Sequence, residues 1–187
     1  MGMRDEAISI TELSASQRLR GESSSVRIGV VSDTHNHLPN VRRIVALLNA
    51  ARVERVLHTG DITQPKTLDV LAQLDAPLLG VFGNNDRGER PALEDAAARW
   101  RMALCDPPLE LHLAGRRIVV VHDPRELEAL PGAAPDVALH GHTHRHRLEH
   151  GDGRLVFNPG ECAGHVAGLN AVGVVDLATL AADLLRF

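Results

Sequence analysis

The stretch "VRIGVVSD", residues 26–33, decides the fold. Its apolar, β-branched run at 26–31 predicts a buried strand. The segment "NVRRIVALLNAARV" at 40–53 follows directly and has helical spacing, with Ile44 and Leu48 on one face. A buried strand that leads into an amphipathic helix is the first half of a βαβ unit, and it favours an α/β fold.

The alternation continues along the chain. Further strands are predicted in "ERVLHTGD" (54–61) and "PLLGVFGNND" (77–86), and further helices in "PKTLDVLAQLD" (65–75) and "RPALEDAAARWRMAL" (90–104). After residue 108 the pattern changes to strands and hairpins: "LELHLAGRRIVVVHD" (109–123), "DVALHGH" (136–142), "RLVFNPG" (154–160) and a closing pair in "NAVGVVDLATLAADLLRF" (170–187). We therefore predict one mixed α/β domain over residues 26–187, preceded by a flexible N-terminal extension, residues 1–25.

Composition limits the classes of function. The 187 residues are 44% hydrophobic and 24% charged, as expected of one globular domain. A net charge of -4 gives no electrostatic reason to expect stable nucleic-acid or anionic-membrane binding. Two cysteines without a secretory signal favour a reducing, cytoplasmic location. Nothing in the chain identifies an oligomer interface, so a homo-oligomer is left open.

Metal-capable side chains follow each of five predicted strands. In α/β sheets, ligands bind beyond the carboxyl ends of the strands, so these side chains should meet at one edge. The candidates are Asp33, His35, Asp61, Asn84, His122, His142 and His144. The pairs 33/35 and 142/144 are each two residues apart, which predicts that each pair points to one side of an extended segment.

The histidine-rich stretch "VALHGHTHRHRLEH", residues 137–150, contains five histidines in fourteen positions. His142 and His144 are its two candidate ligands. His140 lies on the predicted strand just before these two residues, and His58 lies on the predicted strand just before Asp61. Both are therefore expected to support the ligands. Asp86 is expected to brace its loop through turn hydrogen bonds.

Seven such side chains are more than one ion needs. Carboxylate, amide and imidazole donors suit divalent ions such as Mn²⁺, Fe²⁺ or Zn²⁺, and the absence of cysteine argues against a structural zinc site. A carboxylate such as Asp61 is able to bridge two ions about 3.5–4 Å apart, the spacing used in phosphoryl displacement.

The elements "SDTH", "HTGD", "GNND", "VVVHD" and "GHTH" stand in an order that resembles the calcineurin-like metallophosphoesterases. Without a cap domain, the chain looks most like the small, single-domain bacterial and archaeal phosphodiesterases often called YfcE-like. The resemblance covers residues 26–187. It implies a four-layer α-β-β-α sandwich with a two-metal site above the strand ends.

The resemblance also implies the ligand sets. One ion would be bound by Asp33, His35, Asp61 and His144, and the other by Asp61, Asn84, His122 and His142. Manganese is favoured, with nickel, iron or zinc as alternatives. The implied reaction is hydrolysis of a phosphodiester bond in a small molecule or nucleotide, by in-line attack of a metal-bound hydroxide. Asn84 would orient both its metal and a phosphate oxygen.

The chain departs from the family pattern at the position after Asn84. Many larger members have a histidine there that protonates the leaving group, whereas this chain has Asn85. An amide is not a general acid, so we expect activated or diester substrates to be preferred over simple alkyl monoesters. His37, two residues beyond His35, is the candidate substitute.

Charged residues near the expected substrate mouth complete the set of candidates. Arg87 and Arg90, just after "GNND", are candidate substrate contacts. Asp123 and Glu161 stand where the branch usually has glycine and serine. Their negative charge would either disfavour highly charged substrates or recruit a further cation, and the sequence leaves both open.

Two alternatives to a phosphodiesterase remain. One is a phosphomonoesterase of the same fold. The other is a non-catalytic interaction scaffold resembling the retromer scaffold subunit. A scaffold would be free to lose ligands, and this chain has all seven, which favours catalysis.

Overall fold

The computed structural model describes residues 25–166 and 168–187. The predicted extension therefore lies, apart from residue 25, outside the described residues. Eleven strands are present there: β1 (Arg27–Val31), β2 (Arg55–His58), β3 (Leu78–Val81), β4 (Ala103–Cys105), β5 (Leu109–Leu113), β6 (Arg116–Val120), β7 (Val137–Leu139), β8 (Arg147–Gly151), β9 (Arg154–Asn158), β10 (Ala171–Asp176) and β11 (Ala182–Arg186). The α-helices are α1 (Leu38–Ala51), α2 (Pro65–Leu71), α3 (Arg90–Arg99) and α4 (Arg125–Glu128), and a 3₁₀ segment spans Asn84–Glu89.

The strands form two sheets, and both contribute to the edge where the candidate ligands lie. The first has the order β11-β10-β1-β2-β3-β4, with β1 to β4 parallel. Val31 is opposite His58, and His58 is opposite Gly80, so the loops after β1, β2 and β3 leave side by side. The second has the order β5-β6-β7-β9-β8, with β6, β7 and β9 parallel. The strand-end pattern predicted these loops, and the two sheets agree with the sandwich that the family resemblance implied.

Two hydrophobic cores lie on opposite faces of the first sheet, because successive strand residues alternate between its faces. Val30 and Leu57 point between the sheets, while Val31 and Val56 point toward the helices. The inter-sheet core is completed from the second sheet by Ile118, Val120, Leu139, Leu155 and Phe157, and the helical core by Ile44, Leu48, Leu68 and Leu93. Each fully buried aliphatic side chain contributes about 1.5–3 kcal/mol, so these cores hold the strand ends rigidly.

The mixed α/β class predicted from the sequence is confirmed. Between residues 108 and 187, the described part of the chain has one α-helix, the four-residue α4. The outer helical layer expected over the second sheet therefore amounts at most to this single turn. No helix in the described ranges is long and apolar enough to cross a membrane.

The predicted helix over 90–104 is too long. Helix α3 ends at Arg99, Arg101 has a left-handed φ of 55°, and Ala103 pairs with Leu79 of β3 as part of β4. The apolar residues at the end of this segment fit a helix as well as a buried strand, and only the non-local pairing with β3 decides between them. Strand β8 was also missed, because its residues are largely polar and exposed.

Candidate metal centre

The candidate ligands lie on tight turns rather than on extended segments. Five of them have left-handed backbone: Asp33 (φ 49°), His35 (φ 40°), Asp61 (φ 58°), His142 (φ 66°) and His144 (φ 54°). The interpretation of the two pairs as alternating residues of an extended segment is therefore wrong. Non-glycine residues rarely adopt this conformation, and where they do, the surrounding structure must hold them in place.

A first cluster forms where the loops after β1 and β7 meet. Oδ1 of the buried Asp33 lies 3.6 Å from Nε2 of His144 and 4.0 Å from Nε2 of His35. The same His35 nitrogen lies 3.4 Å from Oδ2 of Asp61. Asp33, His35 and Asp61 each offer one ligand atom, and these three atoms lie within 4.8 Å of one another.

A second cluster forms around Asn84. Its side-chain oxygen lies 2.9 Å from Nε2 of His122 and 2.9 Å from Nδ1 of His142. The two histidine nitrogens are 3.3 Å apart, and Nε2 of His122 is 3.4 Å from Oδ1 of Asp61. Oxygen and nitrogen donors thus converge here as well.

Asp61 joins the two clusters, because each of its carboxylate oxygens faces a different one. Oδ2 points toward His35 and Oδ1 toward His122. The structure brings all seven candidate ligands together in two groups of four that share Asp61. This is the arrangement that a carboxylate bridging two ions requires.

The donors present fit divalent ions. Nε2 of His35 is buried and has no hydrogen-bond partner, although an unpaired polar atom in a protein interior is costly. Its nearest charged atoms are carboxylate oxygens of Asp33 and Asp61. A cation among these atoms would satisfy the nitrogen and neutralise the buried carboxylates.

The charges of the clusters are coupled in the metal-free protein. Burial opposes ionisation of Asp61, but His122, Asn85 and the nearby ring of His35 hold the pKa of this carboxyl well below its usual range. Burial likewise opposes the protonated form of His122, yet Asp61 outweighs it and raises the pKa of His122 to about 9. Burial raises the pKa of Asp33. The centre therefore carries protons that a metal ion would have to displace.

His58 is buried beneath the loops after β1 and β2. Its Nδ1 accepts a hydrogen bond from the Gly60 N–H at 3.1 Å, and its Nε2 lies 3.2 Å from the Thr34 hydroxyl. Burial lowers the pKa of His58 to about 3. The neutral ring therefore connects the backbone next to Asp61 to the side chain of Thr34, which lies between Asp33 and His35.

Asp86 and His140 also lie beneath the ligand loops. The buried Asp86 carboxylate accepts hydrogen bonds from the backbone N–H groups of Gly83 at 2.7 Å, Thr63 at 2.7 Å and Asp61 at 3.0 Å. It therefore ties the 3₁₀ segment to the loop after β2. Nδ1 of His140 donates to the Gly141 carbonyl at 3.1 Å, and its buried Nε2 has no hydrogen-bond partner.

Two glycines are required by close approach of the chain. A Cβ at Gly141 would lie 2.7 Å from the Thr59 hydroxyl and 2.8 Å from an Asp33 carboxylate oxygen. A Cβ at Gly83 would collide with the Asp61 carboxylate. Both contacts are too short for any other residue, so these glycines set how closely the loops pack around the ligands.

A cleft of about 290 Å³ opens beside the second cluster, which contributes Asn84, His122 and His142 to its lining. Arg87 and Arg90 also line this cleft. Arg90 is engaged: its guanidinium contacts the carboxylates of Glu94 and Asp106 and stacks 3.8 Å from the Phe82 ring centroid. A substrate phosphate at Arg90 would have to compete with Glu94 and Asp106, whereas these two carboxylates do not contact Arg87.

The two acidic departures have different surroundings. Asp123 lines the cleft and is paired with Arg125, whose hydrogen bonds lower the pKa of Asp123 to about 2. Glu161 is only 2% exposed and does not lie at the mouth. Its Oε2 lies 3.2 Å from Nδ1 of His144 and its Oε1 accepts the Val166 N–H at 2.7 Å. The expectation of negative charge at the mouth is therefore wrong for Glu161, because its carboxylate points inward at a candidate ligand.

Two further histidines, His37 and His165, lie on segments next to the first cluster. His37 is exposed and caps α1, with Nδ1 accepting the Asn40 N–H at 3.3 Å. His165 is exposed, and its ring centroid lies 5.6 Å from that of His35 and 5.4 Å from that of His144. No motif surrounds His165, so only the folded chain reveals this position.

The chain is similar to known proteins over most of its length. The family model for the calcineurin-like phosphoesterase superfamily domain matches residues 26–180. Phosphodiesterase MJ0936 of Methanocaldococcus jannaschii is 33% identical over 159 residues, which are 81% of this chain and 93% of the relative.

Solved structures agree with this relationship. An archaeal phosphodiesterase has a TM-score of 0.78 at 32% identity, covering 86% of this chain and 99% of its own. The Escherichia coli phosphoesterase Yfce has a TM-score of 0.64 at 19% identity, covering 85% and 98%. Entamoeba histolytica Vps29, complexed with Zn²⁺, has a TM-score of 0.54 at 18% identity, covering 86% and 98%. The last two show a common fold.

The resemblance inferred from five strand-end motifs and the metallophosphoesterase fold are thus confirmed. Such a family model implies divalent metal ions, and a group of histidine and aspartate side chains able to bind one is present. The chain belongs to the calcineurin-like phosphoesterase superfamily and is a hydrolase of that family.

Proposed function

We propose that residues 26–187 form a phosphodiesterase domain that uses two divalent metal ions. The observation that carries this proposal is the position of Asp61, with one carboxylate oxygen toward each cluster. The similarity to an archaeal phosphodiesterase at 33% identity supports the substrate class. Two ions bound here would activate a water nucleophile and neutralise charge on the phosphate.

The proposed ligand sets follow the two clusters. Asp33, His35, Asp61 and His144 bind one ion, and Asp61, Asn84, His122 and His142 bind the other. Manganese is the favoured metal, with nickel, iron and zinc as alternatives. The identity of the metal is a matter for measurement, because these donor types suit all four ions.

The chain's own residues would position the substrate. Asn84 forms the boundary between the second cluster and the cleft, so its amide group is placed to orient a phosphate oxygen. Arg87 and Arg90 line the same cleft and would contact the phosphate or its substituents. The cleft volume lies near the lower end of the range of about 300–1,000 Å³ for small-molecule sites. A small phosphodiester or nucleotide is therefore the proposed substrate, rather than a bound nucleic acid or a membrane.

The leaving group would depart without a histidine beside Asn84. Asn85 donates hydrogen bonds to Asp61 and has no acidic proton to give at neutral pH. This favours diesters with stable leaving groups over alkyl monoesters. His37 remains the proposed proton donor, since capping of α1 uses its Nδ1 and leaves Nε2.

The experiment is hydrolysis of bis-p-nitrophenyl phosphate and of p-nitrophenyl phosphate after chelation. Mn²⁺, Ni²⁺, Zn²⁺ and Mg²⁺ are then added back separately. We expect metal-dependent turnover that favours the diester. Asn84→Ala and His122→Ala should each reduce turnover about 10²-fold or more, as expected for groups that stabilise the transition state. His150→Ala, a change at an exposed residue of β8, is the matched control.

Two outcomes would favour the alternatives. Preference for the monoester would indicate the phosphomonoesterase. Absence of turnover with every metal, in a folded sample that binds two ions, would indicate a non-catalytic scaffold. The fold shared with Vps29 is compatible with a scaffold, but the convergence of seven ligand side chains favours catalysis. A cytoplasmic location and a homo-oligomer stay predictions from the sequence.

A further inference from the structure

A third imidazole lies over the first cluster. His35, His144 and His165 each offer one ring nitrogen, and these nitrogens all lie within 4.8 Å of one another. The ring centroids of His35 and His144 are 5.1 Å apart, and that of His165 is within 5.6 Å of both. Three imidazoles at this spacing can reach one ion together.

The segment that carries His165 is fixed at its base. Residues Glu161 and Asn170 form a β-bridge, and the Ala171 N–H donates to the Glu161 carbonyl at 3.1 Å. The Asn170 side-chain oxygen accepts the Gly164 N–H at 3.0 Å and the Asn40 amide of α1 at 3.0 Å. His165 therefore follows Gly164 directly, and Asn170 connects Gly164 to helix α1.

One buried carboxylate holds both His144 and the segment of His165. Oε2 of Glu161 contacts Nδ1 of His144, and Oε1 accepts the N–H of Val166. A carboxylate on the distal nitrogen of a ligand histidine fixes which ring nitrogen faces the metal. Here it leaves Nε2 of His144 facing Asp33, and it holds the backbone of Val166, the residue after His165.

We infer that His165 is an additional ligand of the first metal ion and that Glu161 is the positioning residue for this enlarged site. This inference rests on the proposed two-metal centre. The first ion would then have three imidazoles (His35, His144 and His165) and two carboxylates (Asp33 and Asp61). The second would keep two imidazoles, one amide oxygen and the shared carboxylate.

The added imidazole makes the two sites chemically different. Imidazole suits Zn²⁺, Ni²⁺ and Fe²⁺, whereas oxygen donors suit Mn²⁺ and Mg²⁺. The first site should therefore select nickel, zinc or iron over manganese more strongly than the second. When these metals are supplied equally, we expect mixed occupancy with a nitrogen-preferring metal in the first site.

The test is metal binding by the whole chain, with His165→Ala compared with wild type. His150→Ala is the control, because it also removes an exposed histidine but lies on β8. Bound Ni²⁺, Zn²⁺ and Mn²⁺ are counted after chelation and reloading, and each affinity is measured by competition with a chelator. The absorption spectrum of the Co²⁺-loaded protein reports the ligand set independently of turnover.

We expect wild type and His150→Ala to bind two ions per chain. His165→Ala should lower the affinity for one of the two Ni²⁺ or Zn²⁺ ions. The loss should be at least as large as the loss of about 10- to 100-fold that follows removal of a residue hydrogen-bonded to a metal ligand. The Co²⁺ spectrum should change as well. The loss for Mn²⁺ should be smaller. Glu161→Gln keeps the side-chain size. It should lower the affinity for the same ion and leave the affinity for the other ion unchanged.

Two results would overturn the inference in distinguishable ways. Unchanged affinities and an unchanged Co²⁺ spectrum in His165→Ala, with two ions bound, would exclude His165 as a ligand and leave the two-metal proposal intact. A wild-type chain that binds no divalent ion would overturn the two-metal proposal and this inference together.

Discussion

Asn85 binds the carboxylate of Asp61 through both of its nitrogen groups. The backbone N–H donates to Oδ1 at 2.9 Å, and the side-chain amide donates to Oδ2 at 2.7 Å. The residue that stands where larger family members have a leaving-group histidine thus holds the carboxylate shared by the two clusters in place. Its effect on chemistry and its effect on structure are separable by experiment.

Replacing Asn85 with alanine removes the side-chain hydrogen bond to Asp61 and keeps the backbone one. Outer partners of metal ligands typically contribute about 10- to 100-fold to metal affinity. We expect Asn85→Ala to lower the affinity for divalent ions by that factor, measured by competition with a chelator. Asn49→Ala is the control, since Asn49 makes its hydrogen bonds at Gln73 and Asp75. Equal affinities in wild type and Asn85→Ala would exclude a role for the amide in holding the bridge.

Metal binding should release protons. The pKa of His122 in the metal-free protein is raised to about 9, so its ring is protonated at pH 7 and must lose that proton to bind a metal. Affinity should therefore rise as pH increases toward about 9 and level off above it. Calorimetry at pH 7 in two buffers of different ionisation enthalpy measures the protons released. His122→Ala should release about one proton fewer, and equal release from both proteins would contradict the assignment.

The buried His58 makes stability depend on pH in the acidic range. Its pKa is lowered to about 3 in the folded chain, against about 6.5 when unfolded, so between these values the unfolded chain binds more protons. The free energy of unfolding should fall as pH falls below about 6.5, with up to about 1.4 kcal/mol per pH unit from this residue. Urea unfolding of the metal-free protein at pH 7, 6 and 5 measures the slope.

A matched pair of variants isolates the contribution of His58. His58→Gln should flatten the decline in stability between pH 7 and pH 5, whatever its effect on stability at pH 7. His150→Gln, at an exposed position, should leave the slope unchanged. If both variants keep the wild-type slope, other groups cause the acid sensitivity.

Gly141 should tolerate no side chain. A Cβ there would press on Thr59 and Asp33, and overpacking of this kind typically costs about 1–3 kcal/mol. We expect Gly141→Ala to lower the free energy of unfolding by that amount and also to weaken metal binding. Gly88→Ala is the control, because a Cβ there has open space around it, and its effect should stay within about 0.5 kcal/mol. Chemical denaturation and a metal titration of both variants provide the measurement.

The convergence of the candidate ligands is predictable because these residues follow local patterns. Asp33, Asp61 and Asn84 each come shortly after an apolar run, and parallel strands bring such positions to one edge. The backbone at these loops was not predictable in the same way. Asp33 and His142 have left-handed backbone and meet across the two sheets, where the His142 N–H donates to the Asp33 carboxylate, and no local pattern encodes this contact.

What the sequence failed to reveal depends on contacts between distant segments. Leu104 looks like the end of a helix until β3 is available to pair with β4. Glu161 and His144 are separated by seventeen positions, and their contact depends on the path of β8 and β9 between them. His165 has no motif at all and reaches the centre only because its segment is bridged at Glu161.

The left-handed turns at five candidate ligands set stability against activity. A non-glycine residue in this conformation costs of the order of 1 kcal/mol, while a whole domain is stable by only about 5–15 kcal/mol. Glycine at position 33 or 142 would relieve that cost and remove a proposed ligand in the same step. Selection for thermostability alone would therefore favour a more stable but inactive protein. Stabilising substitutions should leave these turns unchanged and be placed in the helices instead.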